Sequence, residues 1–396
     1  MKLIIFAAIF SLLTLPLQAQ ETVKTIAPEN CFTNLDEALK TPEKVLMLDL
    51  KENKLTKFPS QIFKFKNLQK LILRNNQISD LPENIGTLTE LKELNVSLNR
   101  ISKLPKSIGK LTALQELLVM ENNLEKLPAE IGNLTMLLRF NARKNRLNEI
   151  PAEISKLVNL QYLSLSENNI PSLPVGFGKL EKLQNFILRD NAIANLPDDF
   201  ANLKSIETMV LSKNKFTTLP LVLTQIQSLK HLFLNENQIT ELPKEISRFK
   251  NLETLDLWGN QLTNLPSEIQ YLENLDKLYL MSNQLSKLPK EITKLENIKI
   301  LFLSKNNFTV IPPEIFKLTS LEKLNLSDNQ ISDIPTPISN LKNLTELNLA
   351  NNKITKLPLD IVLLQNLKKL KLENNQIANE DKLKIESLLS NAQVSY

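Results

Sequence analysis

The sequence predicts an α/β solenoid, a horseshoe with a parallel β-sheet on its concave face and short helical or irregular segments on its convex face. Three observations predict it. A 23-residue pattern starts at Val45 and returns, without insertion or deletion, at fourteen further places up to Leu367, which makes fifteen units. Its asparagine recurs in all fifteen units, and its proline in all fourteen complete ones. A fixed period of this length indicates stacked repeats rather than separate globular domains.

Each part of the unit has a physical role, as the stretch from Leu252 to Asn274 shows. Leu255 and Leu257 alternate with other residues, which is typical of a short strand with one buried face. The recurrent asparagine has two donors and an acceptor, so fifteen of them in register predict a hydrogen-bonded ladder where the chain leaves each strand. The proline opens the return half, because its fixed φ suits the start of a helical turn.

One unit cannot bury its own leucines, whereas stacked neighbours can. The unit length falls in the range of leucine-rich repeats. The predicted array spans residues 45–378, its last unit being partial. Residues 20–44 are expected to cap the first unit, because Asn34 and Glu37 have the spacing of a capping box. Residues 379–396 are expected to form a C-terminal cap, in which the helix spans Asn379 to Asn391. Its expected buried residues are Leu383, Leu388 and Leu389.

Residues 1–19 predict a secretory signal peptide. Lys2 is followed by an apolar run from Leu3 to Leu13, and Ala19 marks the exit. The alternative, a membrane anchor, is disfavoured because the run is shorter than the ~20 residues that span a bilayer. The mature chain is thus expected to be exported, and to be secreted or on the cell surface rather than in the periplasm.

Composition argues against several function classes. The net charge of +5 is small and dispersed, which speaks against nucleic-acid binding. No later segment is apolar enough for membrane insertion. The chain has one cysteine, Cys31, which cannot form an internal disulfide. It has one histidine and no catalytic or nucleotide-binding motif, so no enzyme, cofactor or metal site is predicted.

The candidate binding site lies on the concave strands. Most units place polar residues at the positions that point away from the core, but the units starting at Ile206 to Ile298 place apolar and aromatic residues there. Exposed aromatics clustered on a rigid wall are typical of a binding hot spot. The alternative is ordinary variation of surface residues. The candidate residues are Val210, His231, Phe233, Asp256, Trp258, Tyr279, Met281, Ile300 and Phe302.

A second cluster is basic. Arg139, Arg143, Lys144 and Arg146 lie in the unit that begins at Leu137. Such a run is more often a solvated face, and a contact for an acidic partner is the less favoured interpretation. His231 lies on a strand next to that of Asp256, but a metal site needs more ligands than these two.

With the unit written as LxxLxLxxNxLxxLPxxIxxLxx, the chain resembles the secreted bacterial leucine-rich-repeat proteins with an LP-containing 23-residue repeat. The segment FTNLDEALKTPEKVLMLDL resembles the segment that precedes the repeats in those proteins. The resemblance covers residues 33–396. It implies export, a horseshoe solenoid, and binding of other proteins, including host cell-surface or matrix components.

The leading functional hypothesis is therefore a protein-binding module that engages its partner on the concave face. A monomer is compatible with this pattern. The alternative hypothesis is a structural or glycan-binding protein of the bacterial envelope, which would use the flat polar surface of the array. The cellular fraction that holds the protein would distinguish the two.

Overall fold

The computed structural model describes residues 26–389 and 391–396. The expected signal peptide, residues 1–19, lies outside the described residues. Within them, no helix has both the length and the apolar character that a membrane-spanning segment needs.

The strands form one parallel sheet in which each strand pairs with the next one along the chain, from the first pair to the last. The three-residue strands recur at the positions that the alternating leucines predict, which confirms the α/β solenoid. The strands that the structure describes are Cys31–Phe32 (β1), Met47–Asp49 (β2), Lys70–Ile72 (β3), Glu93–Asn95 (β4), Glu116–Leu118 (β5), Arg139–Asn141 (β6), Tyr162–Ser164 (β7), Asn185–Ile187 (β8), Thr208–Val210 (β9), His231–Phe233 (β10), Thr254–Asp256 (β11), Lys277–Tyr279 (β12), Ile300–Phe302 (β13), Lys323–Asn325 (β14), Glu346–Asn348 (β15), Lys369–Lys371 (β16) and Gln393–Ser395 (β17).

The return half of most units is one short 3₁₀ helix. The recurrent proline lies immediately before this helix and has an extended backbone. Pro266, for example, has φ −73° and ψ 155°. Its carbonyl accepts the N–H of Ile269 at 3.1 Å. The proline is thus the cap rather than the first helical residue that the sequence suggests. The 3₁₀ helices are Pro28–Asn30, Pro42–Lys44, Ser60–Lys64, Glu83–Thr87, Lys106–Lys110, Ala129–Asn133, Ala152–Lys156, Phe177–Lys179, Asp198–Asn202, Leu221–Gln225, Lys244–Arg248, Ser267–Tyr271, Lys290–Lys294, Pro313–Lys317, Thr336–Asn340 and Leu359–Leu363.

The asparagine ladder forms as predicted. The Asn260 amide nitrogen donates to the carbonyls of Leu234 and Leu257 at 3.0 and 2.9 Å. Its carbonyl oxygen accepts the N–H of Ile239 at 3.0 Å. From the second unit onward, each such residue therefore satisfies backbone groups of its own unit and of the preceding one, where the chain leaves the sheet. Beneath the ladder, the leucine and isoleucine positions of successive units form one continuous buried core.

The N-terminal cap consists of β1 and one short helix, Leu35–Ala38 (α1). Asn34 accepts the Glu37 N–H at 3.0 Å, as the capping-box spacing predicts. Ala38 is fully buried against the first unit, and Cys31 is half-buried on the edge strand β1.

The C-terminal cap differs from the prediction in two respects. The helix is shorter than expected, Asn379–Leu388 (α2), and β17 follows it and pairs with β16. The prediction that Leu383 and Leu388 are buried is wrong, because they are 68% and 49% exposed. Leu389 is buried, as expected, and Ile385 is buried with it, since residues four apart share one face of the helix.

Candidate functional site

Three rows of side chains cross the strands on the face opposite the leucine core. The first row contains His231, Thr254 and Lys277, which are register partners on adjacent strands. The third row lies just beyond the strands and is held in step by backbone hydrogen bonds, such as that from Gly259 to the Met281 carbonyl at 2.8 Å. The central row, in strand register, is Ile187, Val210, Phe233, Asp256, Tyr279 and Phe302.

We call the following residues the concave patch: Val210, Phe233, Asp256, Trp258, Tyr279, Met281, Ile300 and Phe302. Its apolar members lie outside the leucine core. The edge of the Tyr279 ring meets the Phe302 ring, with centroids 5.5 Å apart and planes at 74°. Edge-to-face pairs of this kind stabilise beyond the area that they bury. The structure thus brings the predicted aromatic residues together on one wall.

The expectation that all of these side chains are well exposed is wrong. Phe233 is 3% exposed and Tyr279 is 8% exposed, while Val210 and Met281 are buried. Strands lie only ~4.8 Å apart, so each of these side chains is covered by the residues beside it on the adjacent strands. Trp258, Ile300 and Phe302 remain half-buried and form the accessible part of the patch.

Asp256 lies in the middle of this apolar row and is completely buried. Its Oδ1 accepts the backbone N–H of Trp258 at 3.0 Å, whereas its Oδ2 has no hydrogen-bond partner. Burial raises the pKa of Asp256 from 3.8 to about 7, with the charge of Glu236 adding to the effect. Burial also raises the pKa of Tyr279 to about 12, and the carboxylate of Asp256 contributes. The patch therefore contains a carboxyl group that changes charge near neutral pH.

His231 does not join Asp256 in a site. Its ring Nδ1 is 3.2 Å from Thr254 Oγ1, within the first row, and its pKa is lowered chiefly by burial. Among residues 26–389 and 391–396, no three His, Cys, Asp or Glu side chains cluster as metal ligands do.

The basic cluster is largely neutralised by carboxylates of the neighbouring units. Ion pairs join Arg139 to Glu116 at 3.1 Å, Arg143 to Glu167 at 2.6 Å and Lys144 to Glu121 at 2.7 Å. The Arg139 guanidinium also lies 4.4 Å from the centroid of the Tyr162 ring. Arg146 is exposed. This arrangement is that of a paired, solvated face, and it leaves little net charge for an acidic partner.

A separate open cleft of about 490 Å³ runs along the edge where the chain enters strands β10 to β13. Two carboxylates lie along it between two lysines, and these charged residues are interleaved with asparagine amides whose nitrogens donate to the backbone of the preceding unit. The cleft is polar and lies apart from the concave patch. Its lining residues are Lys230, Asn251, Glu253, Asn274, Asp276, Asn297 and Lys299.

Three features of the site were missed by reasoning from the sequence. Ile187 extends the central row by one strand. It lies 23 residues before Val210, at the same position of the preceding unit, and this spacing could have identified it. Glu236 lies near Asp256 and is paired with Arg189 at 3.8 Å and Lys213 at 3.9 Å. Gly259 follows Trp258 at a position where the neighbouring units carry Glu236 and Ser282, so no side chain flanks the indole there.

Comparisons with known proteins agree with this architecture. The sequence pattern described as leucine-rich repeat region matches residues 3–122 and 150–234, just over half of the chain. The pattern described as leucine rich repeat matches residues 250–308, 273–331 and 296–354. A comparison with curated proteins found no match.

Among solved structures, a leucine-rich-repeat protein of Leptospira interrogans is 37% identical and aligns with a TM-score of 0.85, over 92% of this chain and 99% of that one. The Arabidopsis receptor kinase HAESA, solved with the peptide hormone IDA and the co-receptor SERK1, is 26% identical (TM-score 0.64; 89% of this chain, 66% of that one). A Listeria monocytogenes internalin shares the fold at 23% identity (TM-score 0.63; 84% and 87%). The chain therefore belongs to the leucine-rich-repeat proteins.

Proposed function

We propose that this protein is an exported bacterial binding module, with the LP-containing 23-residue repeat, that engages a protein partner through the concave patch. The observation that carries the proposal is the patch itself. Its apolar side chains lie on the face opposite the core, outside the leucine stack. Aromatic anchors on a rigid wall are the usual centre of a protein interface.

The fold supports a binding role over catalysis, because the leucine-rich-repeat solenoid is typically a non-enzymatic scaffold for protein interactions. HAESA, a structural neighbour, was solved with a peptide hormone. By the resemblance in sequence, the proposed partner of this chain is a host cell-surface or matrix protein. We further propose that residues 20–44 and 379–396 act as the caps of the array.

Site-specific photo-cross-linking tests the proposal. A benzophenone amino acid is placed at Ile300, in the concave patch, and in a second variant at Leu221, an exposed residue of a convex 3₁₀ helix. Both variants are exposed to solubilised animal cell-surface and matrix proteins. A discrete adduct from the Ile300 variant and none from the Leu221 variant supports the proposal. Adducts that form from Leu221 alone would contradict it.

The alternative, a glycan-binding protein of the envelope, is favoured by the polar cleft on strands β10 to β13, because amides and carboxylates are suitable hydrogen-bond partners for sugar hydroxyls. Cell fractionation separates the two functions. Release into the medium or display on the surface supports the protein-binding module, whereas strict retention in the periplasm supports the alternative.

A further inference from the structure

Asp256 interrupts an otherwise apolar run in the central row. Phe233 precedes it and Tyr279 follows it on the adjacent strands. One of its oxygens holds the turn by accepting the Trp258 N–H, and the other is buried without a partner. A buried polar atom without a hydrogen bond is costly, and such atoms in native proteins usually have an explanation.

The turn itself does not require an acid. At the same position of four other units, an asparagine accepts the equivalent N–H at 3.0 to 3.1 Å; they are Asn95, Asn141, Asn325 and Asn348. A neutral amide therefore performs the structural task. The carboxyl group at Asp256 adds a second acceptor and a negative charge, in the place where the surroundings oppose charge most strongly.

Asp49 shows how this position accommodates an acid elsewhere in the array. Its Oδ1 accepts the N–H of Lys51, and its Oδ2 pairs with the Lys51 ammonium at 3.3 Å. In the unit of Asp256, the residue equivalent to Lys51 is Trp258. The cation is thus replaced by an aromatic ring, and the second oxygen has no internal partner.

None of the charged groups described around Asp256 pairs with its second oxygen as Lys51 pairs with Asp49. The carboxylate of Glu236 is paired with Arg189 and Lys213, and it opposes the ionisation of Asp256 while Arg189 favours it. In the first row, Lys277 pairs with Asp276 at 3.3 Å, and His231 contacts Thr254. The rings of Phe233 and Tyr279 flank the carboxyl group on its two sides, and Trp258 lies beyond it. Aromatic faces attract cations, most strongly when the site is desolvated.

We propose that Asp256 and the aromatic side chains beside it form the recognition site for a cationic side chain, a lysine ammonium, of the protein partner. The inference rests on the proposed function and deepens it, because it names the chemistry that the partner presents. Entry of the cation requires the rings of Phe233 and Tyr279 to turn aside. The ammonium then donates to the free Oδ2 of Asp256.

The test uses n-butylammonium chloride as the probe, with n-butanol as its neutral counterpart. Trp258 is the single tryptophan of the chain, and its backbone N–H donates to Asp256 Oδ1, so the indole lies two residues from the carboxyl group and its fluorescence serves as the reporter of this site. At about pH 8.5, we expect a saturable fluorescence change with butylammonium and none with butanol. A Kd of roughly 1–100 mM is what so small a ligand can reach.

The matched variants are Asp256→Asn and Asp49→Asn. The first keeps the hydrogen bond of the turn, and the second makes the same change at the equivalent position of the first unit. We expect at least tenfold weaker binding in Asp256→Asn and an unchanged Kd in Asp49→Asn. In the unaltered chain, lowering the pH to about 5.5 protonates Asp256 and should also weaken binding at least tenfold.

Equal affinity in Asp256→Asn, an equal response to butanol, or no response to butylammonium would each overturn the inference. The two proposals fail separately. If butylammonium does not bind but cross-linking still maps a partner to Ile300, only the cation site is wrong. If butylammonium binds but partners cross-link at Leu221 alone, the cation site stands and the proposed function fails.

Discussion

At the scale of single residues, the ladder asparagines and Asp256 show opposite uses of a buried polar group. Asn237 accepts the N–H groups of Asn214 and Phe216, both at 3.1 Å, and donates to two backbone carbonyls. Both the oxygen and the nitrogen of the Asn237 amide therefore have hydrogen-bond partners. Asp256 holds one N–H and leaves an oxygen unpaired. The first arrangement stabilises the stack, whereas the second costs stability because a buried oxygen has no hydrogen bond.

The first prediction concerns the ladder. Asn237→Ala leaves buried backbone groups unpaired and should lower the free energy of unfolding by ~1–3 kcal/mol. Asn53 is the control, because it is exposed and donates within its own unit, to the Lys51 carbonyl at 3.0 Å. Asn53→Ala should change stability by less than ~0.5 kcal/mol. Urea midpoints give both values, and equal midpoints would refute the ladder's role.

The second prediction concerns how the stability of the Asp256→Asn variant depends on pH. Because burial raises the pKa of Asp256 to about 7, the folded chain holds this proton more tightly than the unfolded chain. The contribution of Asp256 to stability is therefore highest below about pH 4 and falls as the pH rises to about 7. Asparagine does not titrate. Relative to the unaltered chain, the variant should gain on the order of 1–4 kcal/mol between about pH 4 and pH 8. Parallel pH profiles of the two midpoints would contradict the burial of this carboxyl group.

At the scale of elements, one helix and the strand that follows it lie at the C-terminal end of the array. Ile385 and Leu389 cover the last unit, and β17 adds a further strand to the sheet, with the Leu372 N–H donating to Ser395 at 2.7 Å. Terminal repeats need such a cover because one face of the last unit has no neighbour.

The third prediction compares two apolar residues of α2. Ile385→Ala removes a buried side chain and should destabilise the C-terminal end by ~2–5 kcal/mol, with loss of cooperativity or aggregation. Leu383→Ala, on the exposed side of the same helix, should change stability by less than ~0.5 kcal/mol. Thermal melts followed by circular dichroism and light scattering distinguish them. If both variants melt alike, the helix does not serve as a cap.

The strands, the asparagine ladder and the face that each row occupies could be predicted, because one pattern repeats at a fixed spacing and period-two alternation assigns faces. The packing of Phe233 against its neighbours could not, since it depends on side chains that are 23 residues apart and on the narrow strand spacing. Likewise, β17 lacks the leucine pattern. The choice of Ile385 over Leu383 depends on how α2 is rotated, and the sequence pattern of so short a helix does not determine that.

At the scale of the whole molecule, each unit contacts mainly its neighbours, so whole units should be removable in register. The fourth prediction deletes residues 252–274, the unit of Asp256 and Trp258, and, as a control, residues 114–136. Both proteins should fold and melt cooperatively because the ladder rejoins at the same spacing. Only the first deletion should abolish butylammonium binding, measured by calorimetry because this deletion removes the single tryptophan. Failure of both deletions to fold would show that the array is not built from interchangeable units.

The central claim, that the concave patch is the binding surface, is tested most directly by the affinity of peptides selected from a displayed random library against the unaltered chain. Isothermal titration compares three proteins. They are the parent, a patch variant that carries both Trp258→Ala and Phe302→Ala, and a convex control that carries both Val175→Ala and Leu221→Ala. The two side chains replaced in the control are exposed. We expect the patch variant to weaken binding by ~2 kcal/mol or more, about thirtyfold, with the convex control unchanged. Peptides that bind the folded patch variant as tightly as the parent would contradict the claim.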